Sequence, residues 1–260
     1  MNFFTELGFE NSRATEFYKA LRHSGASSVD AFLEHRTEFI DIGKVAIARA
    51  LLPSENPANL FAFEREGHNW YKYLWSRMNT TFEDLPQNRI SILTYNYDRS
   101  CEQFLFTAMK NTHGKSDAEC AEQMKRIPIV HLHGQLGPLP WQAEDGIPYA
   151  ATEDTEFVRK AAKSIKIIHE DVEKDEGFLQ AKELLGQAEV VYFIGFGYNS
   201  TNVERLKKTG FLERNLDIWG TSIGLGGRDR DYARKLYDEK IQLSNHPDIM
   251  SYFRNFRGLK

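Results

Sequence analysis

One nine-residue run constrains this chain more than any other. Ile90-Ser91-Ile92-Leu93-Thr94-Tyr95-Asn96-Tyr97-Asp98 starts apolar and β-branched and breaks abruptly into Thr, Asn and Asp. A run of that kind, bounded by turn formers, reads as a buried strand whose C-terminal end delivers polar side chains to a sheet edge. In an open α/β sheet, ligands bind at that edge. Arg99 to Met109 follows with helical spacing, Phe104, Leu105 and Ala108 falling on one side, so the unit is strand, polar turn, helix.

The pattern recurs. Ile127-Pro128-Ile129-Val130-His131-Leu132-His133-Gly134 is a second apolar run, ending in His-Gly. A third, Glu189 to Ile194, leads into the glycine-rich turn Gly195-Phe196-Gly197-Tyr198-Asn199-Ser200 and then Asn202. A shorter strand, Leu216 to Trp219, ends in Gly220-Thr221-Ser222, and a last helix is expected around Asp229 to Leu236. Three strands with three polar or glycine-rich ends argue for one composite site.

Helical spacing dominates before Gln87. Phe17, Ala20 and Leu21 form a short stripe, and Ser28 is placed to cap a helical turn through Leu33. A longer stripe, Phe39 to Leu51, is closed by Pro53, and Trp70, Tyr73, Leu74 and Arg77 recur before Pro86. Beyond the second strand, Gln135 to Tyr149 is a loop long enough to be functional in its own right. Phe157, Val158, Ala161, Ala162, Ile165 and Ile168 mark a helix with Glu153, Asp154 and Glu156 at its start, and another containing Phe178 to Leu185 is expected to stop at Gly186. Alternation of strand and helix predicts an α/β fold, a Rossmann-like, mostly parallel sheet with helices on both faces and an N-terminal helical layer. The expected division is residues 1–86 for the helical part and 87–260 for the Rossmann-like part.

Totals narrow the function. At 260 residues with 41% hydrophobic content, the chain can bury a large core, and no apolar run approaches the ~20 residues of a membrane span. Met-Asn-Phe-Phe-Thr-Glu is not secretory-signal chemistry, and Cys101 and Cys120 alone make no disulfide framework, so the cytoplasm is the expected compartment. A net charge of -4 with scattered Lys and Arg, such as Arg205, Lys207, Lys208 and the tail from Arg254, leaves no footprint for nucleic acid. Phosphate-bearing small molecules stay open, because helix N-termini hold phosphate without net positive charge.

Taken in order, the motifs resemble the sirtuin-like domain family, in particular the bacterial branch that hydrolyses NAD in anti-phage defence. Thr94-Tyr95-Asn96-Tyr97-Asp98 is similar to that family's Thr-x-Asn-Tyr-Asp motif, with Glu102 as its trailing acid, and His131-Leu132-His133-Gly134 to its His-Gly motif. Ile194-Gly195-Phe196-Gly197 with Asn202, then Gly220-Thr221, are similar to its later nucleotide-binding turns, and Ser28 to Leu33 with Gly43 to Ala46 to its helical insert. The family's opening strand and Gly-Ala-Gly-x-Ser turn have no counterpart before Ser28; the chain then reads as an N-terminally shortened version, or as one whose phosphate site is built differently.

The resemblance implies cleavage of the nicotinamide–ribose bond of NAD, through a transition state with oxocarbenium character. By that resemblance Asn96 orients the attacking water or the ribose, and His133 is the base, suited by an imidazole pKa near neutrality. Cofactor contacts are expected from Thr94, Tyr95, Asp98, Gly134, Gly195, Phe196, Gly197, Asn202, Gly220, Thr221 and Ser222, with Asp98 either holding the loop or orienting the carboxamide. By their residue types alone, Asn96 is equally a turn former and His133 equally a buried structural histidine. His131 shares a face with His133 if the strand continues, so only the motif chooses between them. NAD is expected as substrate and no metal, since two cysteines cannot form the zinc pairs of the deacylase branch. That also disfavours NAD-dependent deacylation; the main alternative is a non-catalytic module that senses NAD or ADP-ribose. Expected partners are such a nucleotide and a sensor or effector domain or phage-derived trigger; a homo-oligomer is compatible, and neither nucleic acid nor membrane is expected.

Overall fold

The computed structural model describes residues 3–62, 69–78, 80–167, 174–246 and 248–254. Ile168 and the basic tail after Arg254 lie outside the described residues.

Helices open the chain: α1 (Phe3–Glu6), α2 (Asn11–His23), α3 (Val29–His35), α4 (Ile40–Leu51), α5 (Pro57–Leu60) and α6 (Trp70–Met78). Ser28 caps α3 as expected, its hydroxyl accepting from Ala31 N at 3.1 Å. Pro53 sits in a 3-10 turn, Leu52–Ser54, directly after α4. Strand β1 (Ile92–Thr94) leads into α7 (Ser100–His113) and α8 (Asp117–Met124), and β2 (Ile129–His131) into α9 (Thr155–Ser164). Then come α10 (Glu176–Gln187), β3 (Val190–Phe193), α11 (Ser200–Lys207), β4 (Asp217–Thr221), α12 (Gly227–Leu236), β5 (Ile241–Ser244) and α13 (Ile249–Arg254).

This is an α/β chain whose strands, among the described residues, pair in parallel in two small sheets rather than the one expected. β1 pairs with β2, and β3, β4 and β5 form a second sheet in that order. The chain divides into two compact units, residues 1–61 with 92–171, and 62–91 with 172–260. Among the described residues no helix is long and apolar enough to cross a membrane.

In the first unit the stripes of α2, α3 and α4 meet α9: Phe17, Phe32, Leu33, Phe39, Ile42, Ala48, Val158, Ala161 and Ile165 are buried in one cluster with Leu136 and Ile147. Each large apolar side chain so buried contributes about 2 kcal/mol, whereas an exposed ion pair such as Arg36–Glu38 contributes about 0–1 kcal/mol. Packing, not surface charge, holds this unit. In the second unit Phe193, Val203, Leu206, Phe211, Ile218, Tyr237 and Ile241 are buried, with the Tyr237 ring edge-on to Phe193 at 4.9 Å. There α6 and α13 meet through Trp70 and Phe253, stacked at 5.8 Å.

Three expected boundaries are corrected. Helix α9 ends at Ser164, because Ile165 leaves the helix to form an antiparallel bridge with Gly134. Gly186 does not stop α10; the helix runs through it to Gln187 and Ala188 is the cap. At about 1 kcal/mol against Ala, one interior glycine is tolerated. Gly220 and Thr221 are the last residues of β4, not the turn after it.

Candidate functional site

The last rung of the first sheet pairs Thr94 with His131, and Leu132 N donates to Thr94 O at 2.8 Å just beyond it. The two segments therefore leave the sheet side by side, one as Tyr95 to Asp98 and the other as Leu132 to Gly134. Asn96 N donates to Thr94 Oγ1 at 3.0 Å, which tightens the turn and leaves Asn96 exposed at its tip. Tyr95 and Tyr97 flank it, and both rings reach His133: Tyr95 at 5.0 Å, nearly perpendicular at 89°, and Tyr97 at 6.2 Å, tilted by 40°. Only 6% of His133 is accessible. Tyr97 donates its hydroxyl to the Asp30 carboxylate of α3. Burial first, and then the Asp30 charge, push its phenol far above the ordinary value, so Tyr97 stays a neutral donor.

The two histidines of the second motif part company because β2 ends at His131, and strand alternation no longer relates them. The His131 ring lies between Asn96 O at 2.8 Å from Nδ1 and Glu102 Oε1 at 2.9 Å from Nε2. Side-chain exposure is 6% for His131 and 2% for Glu102, so the pair is out of water. Burial pulls the His131 pKa down, but the hydrogen bond and charge of Glu102, the Asn96 carbonyl and Asp98 outweigh it, and the pKa is raised.

Three further features hold this edge. Asp98 Oδ1 accepts from Ser100 N at 3.2 Å and from the Ser100 hydroxyl, at the entry to α7. Gly134 has φ +73°, and a Cβ there would strike the Ser164 carbonyl. That close approach lets Lys166 N donate to His133 O at 2.7 Å and explains why glycine follows the histidine. Arg99 is fully buried. It pairs with Glu55 and donates to the Ile147 carbonyl at 2.7 Å and to those of Gly137, Pro138 and Pro148. The Gln135 to Tyr149 loop is thus pinned from inside. Burial raises the Glu55 carboxyl pKa, and Arg99 pulls against that.

The remaining sequence candidates belong to the second unit. Gly195 N donates to Thr221 Oγ1 at 2.9 Å, and Thr221 Oγ1 lies 3.4 Å from Phe193 O. Ser222 donates its hydroxyl to Ser244 O. Both hydroxyls are buried and used within the unit rather than presented at a surface, and in their place the backbone of Gly195 and Gly197 is exposed. Gly220 is there to make room: Tyr198 passes over it to donate to Thr221 O at 2.7 Å, and a Cβ at 220 would meet the Tyr198 hydroxyl. Phe196 packs on Phe193 at 5.3 Å. Asn202 lies in the first turn of α11, its N–H directed to the capping Asn199 Oδ1 at 3.3 Å.

Thr94, Tyr95, Asn96, Asp98, His133 and Gly134 are thus gathered at one sheet edge of the first unit, while Gly195, Phe196, Gly197, Asn202, Gly220, Thr221 and Ser222 lie in the second. Sequence reasoning passed over Arg99 and Glu55, which are 44 residues apart with no local signal joining them, and His131 as a residue with its own partner. Among the described residues no group of three or more His, Cys, Asp or Glu is arranged to hold a metal ion. Compared with protein-family models, with curated proteins and with solved structures, the chain matches none.

Proposed function

We propose that this chain is a sirtuin-like NAD hydrolase of Rossmann-like fold that acts in the cytoplasm in anti-phage defence. The observation that carries the reading is the shared edge of β1 and β2, where the exposed Asn96 turn and the buried His133 ring are joined by Tyr95 and Tyr97. A turn that carries an amide and a buried imidazole, both at one sheet edge, suit a reaction whose leaving group needs little help and whose water needs positioning and a proton acceptor. In this reading the C1′–N1 bond of NAD breaks with its electron pair going to nicotinamide, water adds at C1′ under the direction of Asn96, and His133 takes the proton. The products are nicotinamide and ADP-ribose.

Quantifying nicotinamide after incubating purified protein with NAD tests the reading. Release by the wild type that falls at least about 100-fold in Asn96→Ala and in His133→Ala supports it; no release, or release unchanged by both substitutions, overturns it.

A further inference from the structure

The His131 ring has an acceptor on each nitrogen. Asn96 O is a carbonyl and can only accept, so Nδ1 must carry a proton; Glu102 Oε1, if ionised, asks the same of Nε2. An imidazole that satisfies both is an imidazolium. Its Nδ1 partner is the main chain of the residue the proposed chemistry depends on, and its Nε2 partner is anchored on α7, the helix the turn enters. We propose that His131 is a positioning residue: as an imidazolium clamped between Glu102 and the Asn96 carbonyl, it fixes the turn that presents the Asn96 amide to the ribose. This rests on the reading that the edge cleaves the nicotinamide bond.

The surroundings favour the charged ring. Glu102 from α7 and Asp98 from the turn both act on it in that sense, against the cost of burial. Arg99 is committed to Glu55, and burial together with Glu102 and Asp98 holds both the Cys101 thiol and the Tyr149 phenol protonated, with Glu55 adding to the effect on Tyr149. A raised folded-state pKa means that the stabilisation is present below the ordinary histidine value and is lost as pH rises through the raised one. Turnover therefore falls as pH rises through the raised value and His131 loses its proton.

The test joins a spectrum to a rate profile. In nitrogen-15 NMR of the wild type, with His131 assigned by comparison with His131→Gln, both ring nitrogens are expected to be protonated at pH 7. In NAD hydrolysis, the alkaline limb of kcat is expected to shift down by at least about one pH unit in Glu102→Gln, since a carboxylate at this range moves a pKa by about 1–3 units. Melting temperatures above the assay temperature at each pH separate this shift from unfolding. A His131 ring with one bare nitrogen at pH 7, the proton resting on Glu102, overturns the proposal, and this measurement needs no folded variant at Glu102. Wild-type release with an unmoved alkaline limb in a folded Glu102→Gln overturns the positioning role alone. Absence of release by the wild type overturns the cleavage reading, and the positioning role with it.

Discussion

Asn96 stands at the tip of a turn in solvent, while His133 is wedged between two tyrosine rings, and their replacement separates function from folding. Asn96→Ala removes no buried contact, so thermal unfolding is expected to move by no more than about 0.5 kcal/mol while nicotinamide release falls at least about 100-fold. His133→Ala opens a void beside Tyr95 and Tyr97 and lowers both quantities. An Asn96→Ala protein with full activity would remove the amide from the mechanism. Tyr97 marks the limit of reading single residues from sequence: the motif places it beside Asn96, but its hydroxyl is spent on Asp30, 67 residues earlier.

Among the elements, the junction of β2 with the end of α9 leaves no room for a side chain at Gly134. Gly134→Ala brings a left-handed φ penalty of about 1–2 kcal/mol, and a backbone clash with Ser164 that only a shift of the chain relieves. Denaturant titration is expected to find a loss larger than that from Ser28→Ala, where removal of the α3 cap costs about 1 kcal/mol. Equal losses would mean the junction yields freely. The same junction shows why some boundaries were legible and others not. Caps and proline stops are local, so Ser28 and Pro53 could be recognised in place. The end of α9 is set by a bridge from Gly134 to Ile165, and no periodicity within the helix announces a partner 31 residues upstream. β5 was not anticipated either: its four residues, Ile-Gln-Leu-Ser, become a strand by lying against β4 in register from Ile218 with Ile241 to Thr221 with Ser244.

For the molecule as a whole, Arg99 is the side chain whose loss should be felt furthest. Arg99→Met leaves Glu55 buried without its partner and several loop carbonyls without a donor, a change that costs about 3–5 kcal/mol. Because contacts concentrate within each unit, amide exchange is expected to accelerate across residues 1–61 and 92–171, and much less across 62–91 and 172–260. Uniform acceleration would mean that the two units open together. By itself the sequence determined the strand-turn-helix units, the helical character of the first third, and the residue types delivered to strand ends, because hydrophobic period, caps and turn formers act over a few residues. Only the tertiary structure decided that the strands divide into two sheets, that His131 is tied to Glu102 while His133 is held by tyrosines, that the Thr221 and Ser222 hydroxyls are turned inward, and that Arg99 pins the long loop. Those outcomes depend on pairings between segments far apart in the chain, whose geometry exists only once both partners are folded.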